Sequence, residues 1–428
     1  MLSREAESEV AQVVSQRRRD VARALTWLAG FSATALLVVP KGLALFATLL
    51  LASTLLALPD ALRADRTRLP AAIRGLGYAA LAVFAVATVS MWVSRSDISA
   101  LDNPSRCLLL PWCAWLAWIT RVRMSCLWYG ALAGLALALV LSIAETWSGV
   151  PRVGGKGNPI VFANVVLVLL AIALFTRPAR TGSAMQVLMG GAVTAAIVAI
   201  TLSGSRGVLP GLGLVLALLF VGGAHGHRWR RLAMAVGVFV VLFVALWTLP
   251  WLSSQFRLDQ VREDVAGYAT GQVDQPISAR LGLLAVAWDA FREAPLTGVG
   301  IAGFAQRVDG SRYCLDDSRH FCSLEHAHNE VAQWGATMGL PGVIALLSLY
   351  LVPLVAAVRE IRVGRSRMPA GASWAVAALV AAYVASGLTQ SMFSHAISTS
   401  AYVVPVGLLL GMAMAARNAA TPAIRSTA

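Results

Sequence analysis

The sequence predicts an all-α polytopic integral membrane protein of about twelve transmembrane helices, and three observations lead there. Hydrophobic side chains make up 58% of the 428 residues and charged ones only 13%, about half the charged share of an ordinary globular domain. Mean hydropathy is +0.70. About twelve apolar stretches of roughly 17 to 22 residues follow one another, each long enough to cross a hydrocarbon core about 30 Å thick at 1.5 Å per residue. The formal charge of +14 comes from short basic clusters between those stretches. That pattern orients a chain in a bilayer and does not resemble a nucleic-acid-binding face.

The expected spans are 22–39, 41–58, 73–94, 107–120, 126–144, 158–176, 184–202, 207–224, 231–252, 331–358, 371–390 and 398–416. The first follows a polar stretch containing Arg17, Arg18 and Arg19 and reads as an uncleaved signal anchor. The fourth is short and contains Pro111, with Trp112, Trp115 and Trp118 suited to an interfacial belt. Basic residues in the short loops set the orientation. With the N-terminus inside, 22 fall on the cytoplasmic side, and 6 (Lys41, Arg95, Arg106, Arg152, Lys156 and Arg206) fall outside. Both termini are therefore expected in the cytoplasm.

One long polar segment, 253–330, divides an N-terminal bundle, 1–252, from the C-terminal helices, 331–428. It is expected outside the cytoplasm and holds 11 of the 21 acidic residues. Polar loops of this length carry function more often than they merely connect. Within it, Leu281, Leu284, Trp288 and Phe291 recur at helical spacing over 280–293, which predicts an amphipathic helix at the membrane surface. Cys314 and Cys322 lie in the same segment, eight positions apart, and an oxidising compartment favours a disulfide between them. Their spacing to His320 or His326 fits no common zinc pattern, so no metal site is expected.

The residues that can do chemistry converge on the outer face. His326 and His328 stand in Glu325-His-Ala-His-Asn-Glu330, where the outside segment meets the tenth span. A neutral imidazole there can accept a proton from an attacking hydroxyl at ambient pH. Arg206, in Ser203-Gly-Ser-Arg-Gly207, occupies a tight outside turn, and Arg280 begins the amphipathic helix. Guanidinium groups suit bidentate binding of phosphate oxygens, so two arginines with one base at a membrane surface fit group transfer from a lipid phosphate or pyrophosphate. Other signals carry less. Gly298-Val-Gly-Ile-Ala-Gly303 matches a dinucleotide-binding pattern, but no strand precedes it. His225 and His227 belong to a cytoplasmic anchor, His395 could line a site in the last outside loop, and Asn158 opens a span as a cap.

His328-Asn329, nine residues, then Gly339-Leu-Pro-Gly342 resembles the His-Asn…Gly-x-x-Gly signature of the O-antigen ligase and O-antigen polymerase superfamily. Ser205-Arg206-Gly207 resembles that family's outside arginine, and Arg280 followed by Trp288, Pro295 and Gly298-Val-Gly300 resembles its loop arginine and the segment after it. The resemblance covers the second half; the first half agrees only in hydropathy and span count. It implies a GT-C-like, metal-independent, inverting glycosyltransferase without cofactors in a bacterial inner membrane, with its active site on the periplasmic side. The donor would be a polysaccharide on undecaprenyl pyrophosphate, and the acceptor a sugar hydroxyl of lipid A-core within a membrane of lipid. His328 would be the general base and Arg206 and Arg280 the pyrophosphate ligands. His326 and Asn329 would be further substrate contacts, with the choice between the two histidines left open. A polymerase or a protein O-oligosaccharyltransferase would keep the donor and change the acceptor. A lipid transporter, from a different class, would explain the spans, but mid-span charges for an ion relay are almost absent.

Overall fold

The computed structural model describes residues 4–63, 69–178, 182–222, 276–314, 320–364 and 371–420, and among these all regular structure is helical. In chain order the helices are α1 (Arg4–Ala35), α2 (Leu43–Arg63), α3 (Ala71–Ser94), α4 (Asp102–Arg106), α5 (Leu109–Thr120), α6 (Ser125–Trp147), α7 (Pro159–Phe175), α8 (Ser183–Ser203) and α9 (Leu209–Gly222). They continue with α10 (Pro276–Glu293), α11 (Phe304–Asp309), α12 (Glu330–Gly364), α13 (Gly371–Gly387) and α14 (Ala396–Ala420). Six stretches, in α2, α3, α6, α8, α12 and α14, are long and apolar enough to cross a membrane, and Pro159–Phe175, Arg206–Val221 and Gly371–Gly387 are shorter apolar helices. The chain is a multi-pass membrane protein. Each expected span among the described residues coincides with a helix. The ninth, 231–252, lies outside the described residues, as do His225, His227 and the 252/253 boundary.

Helix α7 forms the middle of the bundle. Every residue from Val161 to Ala173 is buried, as expected for a helix that is apolar all round. Around it the helices approach through small residues, which in membrane bundles permit close backbone contact. At Gly407 and Gly411 of α14 an added Cβ would lie 2.4 and 2.2 Å from the carbonyl oxygens of Leu110 and Ala114 of α5. The fourth expected span proves to be this twelve-residue α5, only about 18 Å long at 1.5 Å per residue. It is enclosed rather than exposed at a belt: Leu110, Cys113, Leu116 and Ala117 are buried, and Trp112 Nε1 donates to Thr54 Oγ1 of α2 at 2.8 Å. The polar stretch before the first span is also helical, continuing α1 back to Arg4.

Charged pairs gather at one end of the bundle: Arg18 with Asp60 at 2.7 Å, Arg417 with Glu360 at 2.6 Å, and Arg23 Nε on Thr120 O at 2.9 Å. The turns carrying the candidate site gather at the other. There Asn103 Nδ2 donates to Ser394 O at 2.7 Å, and Arg106 Nη1 to Ser400 Oγ at 3.4 Å.

A break in α12 ties the segment that precedes it to this second end. Gly339 has φ 65° and ψ −160°, a region open essentially to glycine alone. In an unbroken helix Ala336 O would accept from Leu340 N, and Thr337 O would face residue 341, where Pro341 has no N–H to give. The 295–300 strap takes their place. Val299 N donates to Ala336 O at 2.8 Å, Gly300 N to Thr337 O at 3.1 Å and Leu340 N to Pro295 O at 2.7 Å, while Ser90 Oγ of α3 also donates to Thr337 O at 3.0 Å. The two glycine-containing motifs are thus two halves of one backbone junction. Gly298→Ala should break it, because φ there is +66° and the new Cβ would lie 2.2 Å from Thr337 C. The left-handed backbone alone costs a non-glycine residue about 1–2 kcal/mol. A lower unfolding temperature of purified Gly298→Ala than of wild type is the expected result; an unchanged one would show that the junction can yield.

The strap continues from α10, which therefore lies along α12. One expectation changes here. The helix begins at Pro276, a favoured first-turn position, so Arg280 sits in its second turn. Its buried face is Ala279, Leu283, Val286, Ala287 and Ala290, packed with Phe304, Val308, Phe321 and Ala327. The expected stripe faces elsewhere, with Leu284 36% and Trp288 59% exposed.

Candidate active site

Four turns build the site. Asn329 opens α12: its Oδ1 accepts from Ala332 N at 3.0 Å, an N-cap bond, and its Nδ2 donates to Leu388 O at 3.1 Å. Both halves of the amide are therefore committed to holding the start of α12 against the α13–α14 turn. Glu330, buried behind it, accepts from Trp334 Nε1 at 2.7 Å and from the backbone N–H groups of Met392 and Phe393. That carboxylate fastens the same turn from below. His328, just ahead of the cap, adopts φ +50° to bring the chain into the helix, a conformation that histidine tolerates better than most residues.

So placed, His328 meets Gln390. Its Nδ1 lies 2.6 Å from Gln390 Oε1, and Gln390 Nε2 lies 2.9 Å from His395 Nε2. With the amide oriented this way, Gln390 Nε2–H donates to His395, so Oε1 must accept from His328 Nδ1–H. The lone pair on His328 Nε2 is left for chemistry. Burial holds all three imidazoles below their ordinary range. It pushes His395 to about 4, with His326 and His328 adding to the fall, and it lowers His328 together with the Arg280 charge, against the Gln390 hydrogen bond. His326 is lowered by burial against the opposing Glu325 charge. Near pH 7 the cluster is therefore neutral. His326 does not make the orienting hydrogen bond to His328; it packs edge-to-face on His395 at 5.5 Å between ring centroids.

The cations approach from the adjoining turns. Arg206 opens a 3-10 turn between α8 and α9. Gly207 beside it fits against Thr389, where a Cβ would stand 2.3 Å from Oγ1, one residue from Gln390. Arg152, from the α6–α7 loop, donates through Nε to Ser203 O at 3.0 Å and through Nη2 to Ser205 Oγ at 3.4 Å. That loop is shaped by Glu145, which accepts from the N–H groups of Gly154 and Gly155 at 2.8 and 3.2 Å and from that of Lys156. Asn158 then caps α7 with 2.9 Å to Ile160 N, in the role its position suggested. Burial lowers the Arg280 guanidinium, and Arg206 and Arg152 push it the same way. Three guanidinium groups from three separate segments thus share one field beside a neutral base, an arrangement suited to a doubly charged phosphate ligand.

Residues 190–347 match the O-antigen ligase family model. The match bears out the resemblance and covers Arg206, Arg280, the 295–300 strap, His328 and the break at Gly339. Arg152, Gln390 and His395 lie outside the matched residues. No curated protein matches the chain. Two of these three were not singled out from the sequence: Arg152 counted only as a loop charge, and Gln390 ended an apolar span. The available signal was local, since Thr389-Gln-Ser391 followed by His395 crowds polar groups into one short turn.

Cys314 and Cys322 form the expected disulfide, with Cα atoms 5.7 Å apart, while Cys107, Cys113 and Cys126 are buried thiols in the bundle. The bridge closes the loop just before His326, next to the Tyr313–Phe321 aromatic contact at 5.5 Å. Thiol labelling of denatured, non-reduced protein should therefore modify three of the five cysteines, and modification of all five would show the loop to be unbridged.

Proposed function

We propose that the chain is an inverting, metal-independent glycosyltransferase. It transfers O-antigen polysaccharide from undecaprenyl pyrophosphate to a sugar hydroxyl of lipid A-core at the periplasmic face of a bacterial inner membrane, with both termini cytoplasmic. The observation that carries the reading is a neutral imidazole, oriented by Gln390, inside the field of Arg280. His328 Nε2 takes the proton of the acceptor hydroxyl as its oxygen bonds to the anomeric carbon. The bond from that carbon to the pyrophosphate breaks, and its electron pair leaves with undecaprenyl pyrophosphate. Arg206, Arg280 and Arg152 stabilise the charge as it grows on the departing oxygen. Backside displacement inverts the anomeric carbon. Asn329 serves by positioning His328, since its amide is spent on the cap and on Leu388 O.

Purified protein in lipid nanodiscs, given lipid-linked O-antigen and lipid A-core, should yield polysaccharide joined to lipid A-core. Longer lipid-linked chains formed without lipid A-core would make it a polymerase, and no covalent product in either arm would reject the reading. Activity should persist in excess EDTA because the cations that meet the pyrophosphate are guanidinium groups. A loss restored specifically by magnesium or manganese would overturn that part.

A further inference from the structure

Beside the histidine cluster, on the side away from the arginines, lies a cavity of about 380 Å³. We propose that it is the binding site for the acceptor sugar, an assignment that rests on the glycosyl-transfer reading and extends it to the second substrate.

Size, lining and place carry the assignment. The volume stands at the lower end of the roughly 300–1,000 Å³ of small-ligand sites, room for one or two sugar rings and not for a polysaccharide. Its wall mixes amides and hydroxyls (Asn103, Gln333, Thr337) with the aromatic rings of Trp334 and Phe393, and His326 closes one side. Those two rings stand nearly perpendicular, 79° apart with centroids at 6.0 Å. A sugar presents the same two kinds of surface, hydroxyls around its edge and C–H groups on its faces.

The location matches the reaction. The Arg206 turn meets the 388–395 segment at Thr389, whereas the cavity meets the same segment at Phe393 and Ser394. Gln390 lies between these two contacts along the segment and holds His328 Nδ1, while His326 stands in the cavity wall. An inverting displacement requires the attacking hydroxyl and the leaving pyrophosphate on opposite sides of the anomeric carbon, and the base must be on the hydroxyl's side. The roof of the cavity comes from α4 and the segment before it and from residues 301–305, so none of the three arginines contributes to it.

The test uses full-length protein in nanodiscs and, as probe, lipid-free core oligosaccharide, with binding read by tryptophan fluorescence in the absence of donor. Ala100→Trp and Ala305→Leu fill the cavity from two parts of its lining, and Ala100→Ser leaves it open. Oligosaccharide affinity should fall at least about tenfold in both filled variants and stay at the wild-type value in Ala100→Ser, with lipid-donor affinity unchanged throughout. In turnover, the same variants should raise the acceptor KM more than they lower kcat. Unchanged oligosaccharide affinity in both filled variants would overturn the proposal, and so would donor affinity falling in step with it, which would make the cavity a donor-sugar site. Binding is read without turnover. Intact, cavity-dependent oligosaccharide binding in a protein that transfers nothing would therefore uphold this assignment while rejecting the transfer reading.

Discussion

His328→Ala should lower glycosyl transfer by roughly 10²- to 10⁴-fold while lipid-donor affinity stays near the wild-type value. That range is what a positioned general base contributes. Donor affinity is spared because the imidazole is neutral and acts on the acceptor hydroxyl only as it is attacked. The assignment of Nε2 as the basic atom depends on the hydrogen bond from Nδ1 to Gln390. Gln390→Leu removes that acceptor, lets the other tautomer form, and should therefore lower single-turnover transfer too, by a smaller factor than His328→Ala. His326→Ala is compared at saturating acceptor, where a change in acceptor affinity alone leaves the rate unmoved, since its ring touches His395 and the cavity and not His328's hydrogen-bonding edge. The comparison is single-turnover rate beside donor affinity for each variant. Near-normal transfer by His328→Ala with loss in His326→Ala would move the base by two residues; full activity in both would end the general-base account.

The residues that could be read from the sequence are those whose chemistry is written in local spacing. Apolar runs locate the helices because a bilayer demands about 20 residues of them, and the disulfide follows from two cysteines in one outside segment. Arg206, Arg280 and His328 stand out because charge and imidazole are scarce near apolar spans. What was hidden depends on long-range packing. Gln390 lies 62 positions from His328, and its polar Thr389-Gln-Ser391 turn hints at a site without showing which histidine the amide orients. The Arg152 loop meets the Arg206 turn 51 positions on, a pairing that only the fold creates. Which face of α10 packs on the protein was also hidden. Ala279, Leu283, Val286, Ala287 and Ala290 pack on the protein, while Leu284 and Trp288 face outward, where the expected membrane surface would lie.

Arg206→Ala and Arg280→Ala, unlike His328→Ala, should weaken donor binding and slow the chemistry together. In the proposed mechanism each guanidinium would contact the pyrophosphate in the ground state and more strongly as charge develops on the departing oxygen, so both parameters should move. A preorganised donor of this kind is worth about 10²- to 10³-fold in rate. Lysine at either position should recover only part of that, because it keeps the charge and loses the bidentate fork. The Arg280 variants should also shift the acid limb of the rate profile. Burial first, then the Arg280 and His326 charges, hold His328 below its ordinary pKa of 6.5, and a lowered pKa keeps the base neutral to lower pH. The wild-type rate should therefore fall only below pH 6.5. Removing the Arg280 cation relieves one of the lowering influences, so His328 takes up its proton at higher pH and the limb of Arg280→Ala moves upward, while Arg280→Lys leaves it near the wild-type position. Single-turnover transfer against pH at saturating donor reads this directly. An acid limb that stays in place in Arg280→Ala would separate Arg280 from the base and confine it to holding the lipid donor.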